Sequence, residues 1–238
     1  MDEDPFETHF PRPSAMRPLL GLTVLVIEDS RYACEAMRLL CLRSGARIRR
    51  ADSLRAARRH LRVYRPSVVI IDLGLPDGSG LDLIESLAKS TPRPEVILGT
   101  SGNTGAEEMV IAAGADGFMG KPINSLALFQ ELLLSRLPAE RQPVGPRVVP
   151  AEKINPDPIA FQDDMAHVAD VLEDKSDEKT LDYIAQFIAG VARSAKDRPL
   201  EQAAMALAAK RAVGGPAALE TAKLSGMVQE RLSQPIAI

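Results

Sequence analysis

The chain has 238 residues, 45% hydrophobic and 26% charged, with a formal net charge of -3. That length holds one domain of ordinary size and a smaller second unit, and the balance gives no global positive excess of the kind that signals nucleic-acid binding. No apolar run approaches bilayer length, and the acidic, Pro-bearing start "MDEDPFETHFPRPS" lacks the basic and apolar regions of a signal peptide, so a cytoplasmic protein is expected.

Residues 1–20 carry four prolines among mixed charges and read as a mobile arm. "LTVLVIED" is a short apolar run ending on two acids, the pattern of a strand buried on both faces. Ser30 can cap the helix that follows, which stops at Gly45. Cys34 and Cys41 lie two turns apart on that helix, too far to bridge, and read as small core residues. "RIRRA" is a second strand, and the next helix has Asp52 or Ser53 as its cap. "SVVIID", "EVILGTS" and "GFMGKP" supply three more strands, each followed by a helical pattern. Five strands alternating with five helices predict a doubly wound parallel sheet over residues 21–138.

Residues 139–158 are dense in proline and aperiodic, hence a linker. Residues 159–238 contain four helical stripes, among them Phe161, Met165, Val168, Leu172 and Leu181, Ile184, Ile188, Val191, and predict a small all-α domain.

The chemistry lies at the strand ends. Glu28 and Asp29 end the first strand and Asp72 the third; in a doubly wound sheet these ends neighbour one another, so three carboxylates converge. Such a cluster repels itself unless a cation is present, and Mg²⁺ suits a few carboxylates with water and phosphate oxygens. Thr100 and Lys121, at the ends of strands four and five, add a hydroxyl and an ammonium fit to hold a phosphoryl group. Asp72 as a plain turn former would leave Glu28, Asp29 and Lys121 as coincidences.

In order, "VIEDS", "IIDLGLPDGSGLDLI", "VILGTSG" and "GADGFMGKPI" resemble the motifs of the receiver domain of two-component response regulators, a flavodoxin-like fold, across about Leu22 to Leu137. The resemblance implies Asp72 as phosphoacceptor and Glu28, Asp29, Asp72 and the Gly74 carbonyl as Mg²⁺ ligands. It also implies Thr100 as the switch hydroxyl, with Ser101 the alternative, Lys121 as the phosphate-pairing cation and Phe118 as an aromatic switch or a simple core residue. A histidine kinase or phosphotransfer protein would be the donor. Slow self-phosphorylation and self-dephosphorylation would be the only enzymatic activity, and a phosphatase would need a second acid where Gly74 stands. Gly74 and Gly102 offer no side chain to block water, so ready self-dephosphorylation is expected.

The output is harder to read. Residues 151–238 hold 10 Lys/Arg against 14 Asp/Glu, so a helical module binding a downstream protein or a second copy is expected rather than nucleic acid. A DNA-binding transcriptional regulator is the alternative, with the helix, Gly214-Gly215-Pro216, helix unit as an imitation of a helix-turn-helix. His167 sits among acids and reads as a solvated face, not a phosphotransfer histidine. Arg43, Arg47, Arg49, Arg50, Arg55, Arg58, Arg59, Arg62 and Arg65 form a basic region that could dock an acidic partner, this chain's own helical half included.

Overall fold

A computed structural model describes residues 12–173 and 177–235, with Thr104 described by its backbone alone. The first half alternates β1 (Thr23–Ile27), α1 (Arg31–Ser44), β2 (Arg47–Ala51), α2 (Leu54–Val63), β3 (Val68–Asp72), α3 (Gly80–Ala88), β4 (Val96–Ser101), α4 (Glu107–Ala112), β5 (Gly117–Gly120) and α5 (Leu126–Leu134). The five strands form one parallel sheet in the order β2-β1-β3-β4-β5. A short hairpin, Gly74–Leu75 against Gly78–Ser79, links β3 to α3.

The apolar runs are continuous because both sheet faces are covered. Val24, Val26, Val68, Ile70, Val96 and Leu98 point into one core with α1 and α5. Leu25, Ile27, Val69, Ile71 and Ile97 point into the other with α2 and α3. Serines open the helices: Ser30, Ser53, Ser79 and Ser125 each accept a backbone N–H from the first turn. Gly45, at φ 85°, ends α1 in the left-handed conformation that costs glycine least. Cys34 and Cys41 are buried and unbridged, as the helical spacing implied.

The second half consists of α6 (Pro158–Glu173), α7 (Glu178–Ala195), α8 (Arg198–Ala212) and α9 (Ala218–Ser233) around its own apolar core. Within it α7 packs most closely on α8, and α6 and α8 both pack on α9.

Two expectations about the connections change. Of the expected arm, residues 1–11 lie outside the described residues, but Leu19 is fully buried in the first core and its amide donates to the Ser44 carbonyl at 2.9 Å. The linker is strapped down: Ile154 is buried in that core, and Ser125 and Lys153 form an antiparallel bridge. The end of the expected helical domain, residues 236–238, also lies outside the described residues.

The halves are joined at the start of α1. Asp164 of α6, 1% exposed, accepts from the Ser30 hydroxyl and the Arg31 amide, both at 2.7 Å, and from the Tyr32 amide at 3.1 Å. It thus serves as a second cap for α1, where the helix dipole favours a carboxylate. Arg31 pairs with Asp163 at 2.8 Å, and the Tyr32 ring meets Phe161 edge-on at 5.9 Å, both rings packed against the helical half's own core. The arginine-rich region is therefore not where this contact forms. Arg47, Arg49, Arg50, Arg55, Arg58, Arg59, Arg62 and Arg65 stay exposed on β2, α2 and the turn after it, and among the described residues Arg43 alone of that group forms an ion pair, with Glu152 of the linker. Replacing Asp164 with Ala leaves two amides of α1 without this partner, while Ser30 keeps its bond to the Ala33 amide. The expected cost is about 1–3 kcal/mol of unfolding free energy in urea melts of the full chain, with faster amide exchange at Arg31 and Tyr32.

Candidate phosphoacceptor site

Four strand ends assemble the site. The Glu28 amide continues the ladder beyond β1 by donating to the Ala51 carbonyl at 2.9 Å, which fixes Glu28 and Asp29 at the sheet's carboxyl edge. Asp72 ends β3 directly opposite Thr100 of β4. The Lys121 amide donates to the Ser101 carbonyl at 2.9 Å, carrying Lys121 off β5 toward the same edge. Gly80, the first residue of α3, closes the loop after Asp72. A Cβ there would lie 2.1 Å from the Asp72 carbonyl oxygen, so no larger residue fits without moving the acceptor.

Lys121 stands between two of the acids, its Nζ 2.6 Å from Glu28 Oε2 and 2.9 Å from Asp72 Oδ1. The Gly74 amide donates to Asp72 Oδ2 at 3.1 Å. Burial pushes the Glu28 carboxyl well above the usual range, an effect that Lys121 opposes. Burial also raises Asp29 to about 6, while a bond from Tyr183 works the other way. For Lys121, burial disfavours the ammonium, but Asp72 and Glu28 outweigh it and its pKa rises above the ordinary lysine value.

Glu28, Asp29, Asp72, Gly74 and Lys121 all line one crevice. Two other predicted residues do not. Thr100 is 1% exposed and its hydroxyl donates to the Met119 carbonyl at 2.8 Å, whereas the neighbouring Ser101 does line the crevice. Phe118 is half-buried against the second core, away from the lining.

Sequence reasoning missed the other wall, which α7 supplies. The Tyr183 hydroxyl donates to Asp29 Oδ2 at 2.6 Å across the two halves. One and three turns along α7, Gln186 and Arg193 line the same crevice, and the Arg193 guanidinium donates to the Gly102 carbonyl. The available signal was a second stripe on this helix, Tyr183, Phe187 and Gly190, beside the core stripe Ile184, Ile188, Val191. His167 is exposed on α6 and meets Phe187 edge-on at 6.0 Å, in keeping with a surface position.

The donor set fits a hard divalent cation. Glu28, Asp29 and Asp72 each offer an oxygen within 4.8 Å of the others, and Lys121 is the ammonium between two of them. Fully ionised, the four side chains carry two excess negative charges in a low-dielectric crevice, and Glu28 Oε2 is engaged only by its ion pair with Lys121. The raised Asp29 pKa has a stability consequence. An acid held protonated more tightly when folded loses stability as pH rises from its unfolded value near 3.8 through about 6. Asp29→Asn is therefore expected to raise the thermal midpoint of the cation-free chain at pH 7.5, the gain shrinking as pH is lowered through 6. Scanning calorimetry over that pH range measures both.

Comparison with known proteins bears on the first half of the chain. Residues 24–133 match the family described as "Response regulator receiver domain". The transcriptional regulatory protein KdpE of the KDP operon in Escherichia coli K12 is 29% identical over 99 residues, covering 42% of this chain and 44% of that protein. The virulence transcriptional regulatory protein PhoP of Salmonella typhimurium is 31% identical over 104 residues, covering 43% and 46%. The chain thus spans less than half the length of these curated relatives. Among solved structures, a putative response regulator from Chloroflexus aurantiacus is 26% identical, covers 47% of this chain and 91% of that one, and superposes with a TM-score of 0.42. The family match stops at residue 133, ahead of the helical half. Residues 24–133 are a response regulator receiver domain.

Proposed function

We propose that the chain is a response regulator in which Asp72 accepts a phosphoryl group from a histidine kinase or a histidine phosphotransfer protein and the α6–α9 module delivers the output. One observation carries the reading: the Asp72 carboxylate stands at the crevice with Lys121 on one oxygen, the Gly74 amide on the other, and Glu28 and Asp29 beside it. An Asp72 oxygen attacks phosphorus as the phosphorus–nitrogen bond breaks and its electron pair returns to the donor imidazole. Lys121 is near enough to Asp72 to pair with a phosphoryl oxygen. Mg²⁺, held by Glu28, Asp29, Asp72 and the Gly74 carbonyl, would neutralise phosphoryl charge. Thr100 serves as the switch hydroxyl only by giving up its bond to the Met119 carbonyl; Ser101 is the alternative because it already borders the crevice. Phe118 keeps its proposed part as the aromatic that follows that movement.

The module receives the signal through α7, which touches the crevice through Tyr183. The expected output is contact with a downstream protein or a second copy of the chain, in the cytoplasm. Among the described residues no helix is long and apolar enough to cross a membrane. A transcriptional output is the second reading, favoured by the names of KdpE and PhoP, and those names weaken the expectation that nucleic acid is not a partner. Their similarity, however, covers only 99 and 104 residues. Duplex binding that weakens steeply with salt would decide for it.

Incubation with Mg²⁺ and acetyl phosphate, or with a phosphorylated donor, is expected to add one base-labile phosphoryl group, seen by mass spectrometry. Asp72→Asn is expected to add none. A wild-type chain that gains no such group, or an Asp72→Asn chain that still gains it, contradicts the assignment.

A further inference from the structure

Gly74 and Gly102 leave space beside the acceptor, and the fold fills that space from the other half of the chain. A Cβ built on Gly74 would lie 3.7 Å from Asp72 Oδ2 and 3.7 Å from Gln186 Oε1. One built on Gly102 would lie 3.0 Å from a terminal nitrogen of Arg193 and 3.9 Å from the Gly190 Cα. A side chain of α7 thus crowds the place a larger residue at 102 would take, and another stands in van der Waals reach of the place beside 74. Arg193 is tied in position by the Gly102 carbonyl and, at 2.6 Å, by Glu201 of α8. Gln186 makes no hydrogen bond among the described residues, so the packing of α7 is what holds it near Asp72. Phe187 and Ile188 beside it are buried in the helical core.

We propose that Gln186 and Arg193 form the outer wall of the phosphoacceptor site and set how fast water reaches an acyl phosphate on Asp72. This rests on the reading of Asp72 as the acceptor. In hydrolysis a water oxygen bonds to phosphorus while the bond from phosphorus to the Asp72 oxygen breaks. The electron pair stays on the carboxylate, the phosphoryl group leaves as inorganic phosphate, and the proton from water passes to solvent. In-line attack requires the water to approach from the side opposite the Asp72 oxygen. Asp72 is 6% exposed at one side of a crevice of about 840 Å³, and α7 lines the other. Gln186 and Arg193 border that space on the α7 side, while Leu81, Asn103, Met109 and Met205 line other parts of it. The helical half thereby acts as a positioning element for the receiver's chemistry. On this proposal the two glycines do not by themselves leave the acceptor open.

The test uses the full chain, phosphorylated with acetyl phosphate and Mg²⁺, freed of donor, and followed for loss of the adduct by mass spectrometry. Gln186→Ala is expected to shorten the half-life about fivefold, equivalent to ~1 kcal/mol of barrier. Arg193→Ala is expected to shorten it in the same direction. Gln186→Leu, which keeps the bulk and removes the carboxamide, is expected to retain a half-life close to wild type. That rescue separates a wall from a general loss of docking, and thermal melts of each variant confirm that the halves remain folded. A Gln186→Ala half-life that is unchanged or longer overturns the proposal, as does a Leu variant that decays as fast as the Ala variant. A wild-type chain that forms no adduct removes the acceptor assignment and the wall with it, and that failure appears before any variant is compared.

Discussion

Three carboxylates gathered at one sheet edge, with a single ammonium set between two of them, are the constraint on which the rest of this molecule depends. Glu28, Asp72 and Lys121 are almost wholly buried, and a buried charge without a partner is far more costly than one left in water. Lys121 therefore has a structural part before any chemical one, because without it two carboxylates would face each other in a poorly solvated crevice. The sheet supplies the geometry. Parallel strands bring their carboxyl ends to the same edge, and the register that sets Asp72 opposite Thr100 fixes which side chains meet there.

The receiver half was legible because each of its signals is local and repeated. Strands buried on both faces cannot alternate, so they stand out as short apolar runs, and the serines before four of the five helices mark where the chain turns. The acids were legible for the same reason, since a charge directly after such a run has one place to go. Thr100 shows where this stops. Ser101 follows it at once, and which hydroxyl reaches the crevice depends on how β4 and β5 meet, with the Met119 carbonyl accepting the hydrogen bond of the Thr100 hydroxyl. That is a tertiary fact, and sequence spacing of one residue does not contain it.

The docking of the halves was illegible for a different reason. The nine arginines drew attention because they are many and alike, yet clustered charge is what an exposed helix and an edge strand carry by default. The contact that forms uses single residues instead. Asp164 lies one helical turn from Phe161 and next to Met165, on the apolar face of α6, where a carboxylate makes sense only if something outside the helix donates to it. The donors are Ser30 and the first amides of α1, more than a hundred residues away. Tyr183 and Phe187 likewise form a stripe that the core of the helical half does not need in full. A polar residue on an apolar stripe and a second stripe on one helix were the two available signs that these helices have a neighbour.

The two anchors of the helical half differ in what they respond to. Asp164 binds two backbone amides of α1, whose direction is set by the helix, and the hydroxyl of Ser30, which borders the crevice. Tyr183 binds Asp29, a side chain whose charge balance changes as soon as a proton, a cation or a phosphoryl group enters beside it. A change in the crevice therefore reaches α7 through Tyr183 and α6 through Ser30, whose amide donates to Glu28 Oε1 at 3.3 Å and whose hydroxyl donates to Asp164, and the two helices pack less extensively on each other than α7 does on α8. A shift of the α7–α8 pair relative to α6 would have to pass through α9, on which both α6 and α8 pack. Because binding free energies are reciprocal, whatever moves the pair must alter the affinity of the crevice for its ligands by the same factor. The helical half thus meets the acceptor crevice mainly through α7, with Met205 of α8 in the same lining and Asp164 of α6 linked to it by way of Ser30.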